Sequence, residues 1–260
     1  MKRFVRVTKR VALLTAHILF GLLITPLGLT RVRGIWRTNP YITSWWHNRL
    51  ADILGVSITV AGCRPLPPAL MVSNHVSWLD IIVLGALTPT DFLSKDEVRR
   101  WPVIGWLAAR AGTLFIRRGD GQAGAISEQI AGRLTAQGLL TLFPEGTTTD
   151  GREVRPFFSR LFAAALSTRT VIVPVALRYH VDGELDPVAP YTGNQSLAEN
   201  LSGLLTRERT QVHVAFADPI EIGDHSRKQV AEEARNAIVA ALQDHADSPW
   251  LPTAGVASAS

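Results

Sequence analysis

The 260-residue chain has a single cysteine, Cys63, so it cannot form an internal disulfide and is compatible with a reducing compartment. Its first 50 residues contain no Asp or Glu. No His, Cys and acidic cluster shows metal-ligand spacing, so the sequence gives no metal site. No Gly-rich loop ends in Lys and Ser/Thr, which argues against a P-loop nucleotidase. No G-x-S-x-G elbow is present, which leaves a serine hydrolase of that type unsupported. There is no internal repeat, and no linker long enough to divide the chain into two folded domains.

Nine basic residues stand in that acid-free stretch: Lys2, Arg3, Arg6, Lys9, Arg10, Arg31, Arg33, Arg37 and Arg49. Taking those nine from 27 leaves 18 basic against 22 acidic residues in the remainder. The positive excess is therefore confined to the N-terminus. A nucleic-acid binder would spread a basic face over its folded domain. A basic segment around an apolar one points instead to anionic lipid.

Val11 to Thr30 carries no formal charge, and a bilayer crossing takes ~20 residues. His17 interrupts the run, Pro26 and Gly28 break its second half, and both flanks are basic. A crossing would send one basic cluster outward, against the positive-inside tendency. A helix that lies along the interface, or enters one leaflet and returns, keeps both clusters on the cytoplasmic face. Tyr41, Trp45 and Trp46 follow, residues suited either to a membrane interface or to packing beneath a domain. Three segments are expected: a membrane-associating one over 1–50, a catalytic domain over 51–245 and a disordered tail over 246–260.

Short apolar runs then alternate with helical patterns. Strands are expected over 54–60, 69–72, 91–95, 112–118, 139–143, 171–178 and 211–217. Helices are expected over 81–87, 97–110 (broken at Pro102), 123–137, 156–166 and 227–242. The alternation implies an α/β fold, a single sheet flanked by helices on both faces and preceded by the apolar N-terminal helix segment. Loops at one edge of such a sheet gather into a cleft.

Three strand ends carry polar chemistry. The first is Asn74-His75-Val76-Ser77-Trp78-Leu79-Asp80. At ~100° per residue, positions five apart diverge by about 140° on a helix. His75 and Asp80 can therefore meet only if His75 precedes the helix. Ser77 as N-cap with Asp80 three residues on, a capping-box spacing, would arrange this. A carboxylate against an imidazole makes a general base, although Ser77 and Asp80 are equally compatible with a plain cap. The second strand ends in Arg117-Arg118, and the third in Phe143-Pro144-Glu145-Gly146-Thr147. A base without its own nucleophile suggests activation of a substrate hydroxyl.

With these blocks the chain resembles the glycerolipid acyltransferases, best known through the 1-acylglycerol-3-phosphate acyltransferases. Their N-H-x-x-x-x-D block matches Asn74 to Asp80. Their G-x-x-F-I-x-R block matches Gly112, Phe115, Ile116 and Arg118. Their F-P-E-G-T block matches Phe143 to Thr147, and their V-P-V strand matches Val173-Pro174-Val175. The four blocks occur in family order across residues 74–177.

The resemblance implies that His75, oriented by Asp80, deprotonates an acceptor hydroxyl, which attacks the thioester of an acyl-carrier-protein or coenzyme A donor. It implies acceptor contacts from Asn74, Arg118, Glu145, Gly146 and Thr147, no bound cofactor, and residence on the cytoplasmic face of the inner (plasma) membrane. The acceptor first implied is 1-acylglycerol-3-phosphate, giving phosphatidate in phospholipid biosynthesis. One departure favours an alternative. Phosphate-acceptor members often carry Arg after F-P-E-G-T and a Lys-x-Gly after a later Pro-Phe. Here Thr148 stands in the first place, and Phe158-Ser159-Arg160 follow Pro156-Phe157. Threonine is a poor substitute for an arginine fork on phosphate, so lyso-ornithine lipid or another lysolipid becomes an acceptor to consider. A non-catalytic lipid-binding protein would need neither His75 nor Asp80.

Overall fold

The computed structural model describes residues 1–32, 35–116 and 123–244. The positions of Arg33, Arg117, Arg118 and the 246–260 tail lie outside them. In chain order the elements are α1 (Lys2–Leu27), β1 (Leu29–Val32), β2 (Ile35–Thr38), α2 (Pro40–Leu54), β3 (Val56–Ala61), β4 (Ala69–Ser73), α3 (Leu79–Leu87), β5 (Asp91–Lys95), α4 (Asp96–Arg99) and α5 (Ile104–Ala111). Then come β6 (Leu114–Ile116), α6 (Ala123–Thr135), β7 (Leu139–Leu142), α7 (Ala163–Thr168), β8 (Ile172–Val181), β9 (Glu184–Leu185), α8 (Leu197–Thr206), β10 (Thr210–Phe216) and α9 (Arg227–Asp244).

The main sheet has the order β3-β10-β8-β4-β7-β5-β6, with β9 folded back onto β8. Strands β8, β4, β7, β5 and β6 run parallel, while β10 is antiparallel to β8 and parallel to β3. Strand β4, at the centre, is buried along its whole length. Its alternation sends Ala69 and Met71 to one core and Leu70 and Val72 to the other. The first core lies beneath α2, α3 and α8 through Leu50, Leu54, Val83 and Leu204. The second lies beneath α6, α7 and α9 through Ile130, Leu134, Ala165, Val230 and Ala234. The expected α/β sheet with helices on both faces is thus observed, after an apolar N-terminal helix.

Several elements depart from the sequence expectation. The 156–166 segment starts as extended chain and a 3₁₀ turn at Ser159–Phe162, and only α7 is α-helical. Pro156 and the β-region backbone of Phe158 keep the helix from starting earlier. Helix α2, the hairpin β1–β2, the short β9 and helix α8 were not expected, and Leu54, expected to open a strand, closes α2. Helix α8 carries a legible start: the Ser196 hydroxyl accepts from the Glu199 amide at 3.2 Å, and Glu199 accepts from the Ser196 amide at 2.7 Å. The break at Pro102 is present, separating α4 from α5, with Val103 in a left-handed conformation at φ 66°.

Helix α1 spans 26 residues, about 39 Å at 1.5 Å rise per residue. An 18-residue window within it has mean hydropathy 1.7, enough to cross a membrane by length and composition. Phe4, Val11, Leu19, Phe20, Leu23 and Leu27 are exposed along it. The helix is nevertheless fastened to the domain. Arg10 donates to the carbonyls of Arg207 (2.6 Å) and Glu208 (3.0 Å), and Arg6 to that of Thr206 (3.1 Å). These carbonyls end α8, where cations are favoured. His17 stacks on Trp46 at 4.6 Å, which supplies a partner for the polar residue in the apolar run.

Arg37 is engaged as well. It is buried, donates to Asp91 Oδ2 at 2.7 Å and to the Ala111 carbonyl at 2.9 Å, and forms a second bond to Asp91 Oδ1. Arg133 reaches Asp91 Oδ2 at 3.0 Å. A methyl group on Gly112 would stand 2.6 Å from the Arg37 guanidinium carbon, and its φ is 100°, so only glycine fits there. The reading of the N-terminal charge as wholly available to lipid is therefore corrected: Arg6, Arg10 and Arg37 bind protein.

His47, on α2, packs against Gly85 of α3, where an added Cβ would lie 2.2 Å from its Nδ1. Burial pushes its pKa down to about 4, against a hydrogen bond with the Gly85 backbone that raises it and the nearby His17 that lowers it. The folded protein keeps this ring neutral, while the unfolded chain protonates it below about pH 6.5. The unfolded state thus binds more protons between pH 6.5 and 4, and stability falls as pH drops through that window. Urea unfolding across it should show a loss of about 3 kcal/mol from this group, and His47→Gln should flatten that slope.

Candidate active site

The carboxyl ends of β4 and β7 lie side by side in the parallel part of the sheet. Each runs directly into one of the blocks singled out above. Neighbouring parallel strands therefore place His75 and Glu145 together, as ligand sites at such strand ends require.

His75 Nδ1 lies 2.8 Å from Asp80 Oδ2. Asp80 is fully buried, on the first turn of α3, and four groups converge on its carboxylate. Oδ2 also accepts from the amides of Val76 (2.7 Å) and Ser77 (3.0 Å), and Oδ1 accepts from the Tyr179 hydroxyl at 2.8 Å. Burial first, and the Asp80 charge second, push the Tyr179 phenol well above its ordinary pKa. The phenol stays neutral and remains a donor. Below the ring, Phe143 stacks on His75 at 4.0 Å and 17°. The imidazole is held at one edge and one face, and its side chain keeps 19% exposure. With Nδ1 turned to the carboxylate, Nε2 is the nitrogen left to take a proton from a bound hydroxyl.

The expected capping box is only half formed. Asp80 accepts from the Ser77 amide, but α3 begins at Leu79 and the buried Ser77 hydroxyl has no hydrogen-bond partner. His75 does precede the helix, as the spacing required. The Asp80 carboxylate reaches backward because it is drawn to three donors in the preceding loop and to Tyr179.

Asn74 and Glu145, expected as acceptor contacts, hold backbone instead. The Asn74 amide donates to the Leu177 carbonyl at 2.9 Å and accepts from the Leu177 amide at 2.8 Å, which ties the loop to β8. Glu145 accepts from the His75 amide at 2.7 Å and from the Arg155 amide at 2.8 Å. Burial raises the Glu145 pKa, and those two backbone bonds oppose the rise. Gly146 has φ 69°, which a side chain would strain, and Thr147 beside it is partly exposed. Arg118 falls outside the described residues.

Thr148 donates its hydroxyl to the Tyr191 carbonyl. Tyr191 donates its amide to Val76 at 2.9 Å, and Thr149 donates its amide to His75 at 2.8 Å. Trp78 Nε1 donates to the Asn200 side chain at 2.8 Å, and Asn200 in turn donates to the carbonyls of Val188 and Pro190, each at 3.0 Å. The 186–195 loop is thereby latched over the His75 turn. Tyr179 and Asn200 were not singled out in the sequence, and Phe143 was named only as part of its block. A tyrosine following the apolar Val171-to-Leu177 run is a usable signal, since its hydroxyl needs a partner when buried. Among the described residues, no group of three or more His, Cys, Asp or Glu could hold a metal ion.

A protein-family model described as Acyltransferase matches residues 57–178. A lyso-ornithine lipid O-acyltransferase of Pseudomonas aeruginosa is 46% identical over 201 residues, covering 77% of this chain and 78% of the relative. A 1-acyl-sn-glycerol-3-phosphate acyltransferase of Neisseria meningitidis serogroup B is 32% identical over 186 residues, covering 68% and 73%. The crystal structure of the 1-acyl-sn-glycerophosphate (LPA) acyltransferase of Thermotoga maritima superposes with a TM-score of 0.71 at 16% identity, covering 96% of this chain and 98% of that one. At that identity the superposition establishes the shared fold.

Proposed function

The chain belongs to the acyltransferase family, and from that premise we propose that it moves a fatty acyl group from a thioester donor to the hydroxyl of lyso-ornithine lipid. The observation that carries the chemistry is the His75–Asp80 pair at 2.8 Å. His75 Nε2 takes the acceptor hydroxyl proton while the oxygen attacks the thioester carbonyl. Asp80 stabilises the imidazolium that forms. The tetrahedral oxyanion collapses, the carbon–sulfur bond breaks, and the departing thiolate takes the proton back from Nε2. No acyl-enzyme is formed, because the acceptor is itself the nucleophile. The donor is an acyl-carrier-protein or coenzyme A thioester. We assign acceptor contacts to Gly146 and Thr147, and to Arg118 from its sequence block alone.

Two observations support this acceptor over 1-acylglycerol-3-phosphate, the first expectation. The more similar of the two relatives above is named for lyso-ornithine lipid, and Thr148 occupies the place of a phosphate-binding arginine. The Neisseria relative keeps 1-acylglycerol-3-phosphate as the second reading. The test supplies each lysolipid with a labelled acyl thioester. Lyso-ornithine lipid should be used with at least about tenfold higher kcat/KM, a difference of ~1.4 kcal/mol in transition-state binding. Equal or reversed preference moves the reading to the phosphate acceptor.

The enzyme works on the cytoplasmic face of the inner membrane. Helix α1 is fastened to α8 near its start and stacked on α2 at His17. It therefore lies along the domain, with its apolar residues turned to the lipid surface as in an interfacial helix. Lys2, Arg3 and Lys9 supply cations for anionic head groups.

A further inference from the structure

A polar cleft of about 450 Å³ opens between two loops that are both bonded to the His75 turn, within the ordinary size range of small-molecule sites. One wall is the turn carrying Asp150 and Arg152. The other is the 185–195 loop, with Asp186, Pro190, Thr192 and Gln195. Both walls are tied to the catalytic turn by backbone bonds, one through Thr149 to His75 and the other through Tyr191 to Val76. The Thr148 hydroxyl joins wall to wall at Tyr191. A methyl group on Gly151 would sit 3.6 Å from the Val76 side chain, so the turn lies against the residue that follows His75.

The charges of this cleft are mixed. Asp186 is buried, accepts from the amides of Val188 and Ala189, and is neutralised by an ion pair with Arg207. At the mouth, Arg152 Nε bonds Asp150 Oδ2 at 3.2 Å, with side chains 78% and 54% exposed. The Arg152 terminal nitrogens remain for a carboxylate, since a guanidinium fork matches carboxylate geometry. Asp150 can take an ammonium. With Asp186 neutralised by Arg207, the mouth offers one cation and one carboxylate, so a phosphomonoester meets no net positive charge here. A head group with one carboxylate and one ammonium matches the mouth charge for charge.

We propose that this cleft receives the amino-acid head group of the acceptor, its carboxylate on Arg152 and its ammonium on Asp150, while the hydroxyl on its acyl chain reaches His75. The assignment rests on the lyso-ornithine reading above. It gives Thr148 a role as a positioning residue that shapes the cleft by holding the 185–195 loop to the turn.

The test measures acyl transfer by the full chain in phospholipid vesicles with three acceptors: lyso-ornithine lipid, its methyl ester, and its side-chain N-acetyl derivative. In the wild type, each modification should raise the acceptor KM about tenfold and leave kcat within twofold. Arg152→Gln should show the same rise with unmodified acceptor and no further rise with the methyl ester. Asp150→Asn should behave likewise towards the N-acetyl derivative. Both side chains are exposed, and matching melting curves check that the fold is kept. Variants with wild-type KM, or losses that multiply, overturn the assignment while leaving the acceptor reading standing. A wild type that acylates 1-acylglycerol-3-phosphate but not lyso-ornithine lipid overturns both.

Discussion

His75→Ala should lower kcat by about 10²–10⁴-fold, the range general acid–base catalysis supplies, with acceptor and donor KM little changed. The fold should survive, because the ring contributes a single hydrogen bond to Asp80 and a stack on Phe143 while retaining partial exposure. The Val76, Ser77 and Tyr179 bonds to the carboxylate persist without it. Steady-state kinetics with a labelled thioester, beside a thermal melt, checks both halves. Turnover at the wild-type rate would remove His75 as the base. Asp80→Asn is a harsher change. An asparagine has one acceptor oxygen where the carboxylate satisfies four donors with two, so this variant should lose both imidazole orientation and loop geometry.

Asp91→Ala should lose about 3–5 kcal/mol of stability, the cost of breaking a buried ion pair by removing one partner. Asp91 joins Arg37 of β2 to Arg133 of α6, with Arg37 and Asp91 side chains each 7% exposed. Removing it takes the carboxylate from the buried Arg37 guanidinium, which is left with the Ala111 carbonyl, and from Arg133. Domain stabilities run about 5–15 kcal/mol, so this single change should consume a large share and shift the urea midpoint strongly. Replacing Arg37 and Asp91 together by Met and Leu should cost much less than Asp91→Ala, because no buried charge of that pair is then abandoned. A double variant as unstable as the single one would show that packing, rather than the unpaired charge, sets the loss.

The His75–Asp80 contact was legible because its geometry is local: five residues, a strand end and a helix start fix where the two side chains can meet. The sheet was legible for a similar reason, since runs such as Ala69 to Val72 have the length and apolarity of strands buried on both faces. What was not legible is long-range. The Tyr179–Asp80 bond spans 99 residues and the Trp78–Asn200 bond spans 122. No periodicity reports such pairings. Arg6, Arg10 and Arg37 read as lipid-facing for the same reason, because their partners lie in α8 and at Asp91, far along the chain. Asn74 and Glu145 belong to blocks shared with a family, which marks positions without saying whether a side chain meets substrate or backbone. Helix α8 is a different case. Its Ser196-to-Glu199 start and the helical spacing of Leu197, Leu201, Leu204 and Leu205 were both readable, and this element was missed although its signal is present.

Glu145 carries a consequence for how substitutions in this turn are judged. Its two oxygens face two N–H groups, one on the His75 turn and one at Arg155. Glutamine has the same shape, but at one end it presents an NH₂ to an N–H. Two donors then confront each other in a site 4% exposed, and one of the two chain segments must move away. The gentlest replacement by size is thus an inversion of polarity at a clasp, and it would let the turn bearing the base drift from the turn bearing the cleft wall.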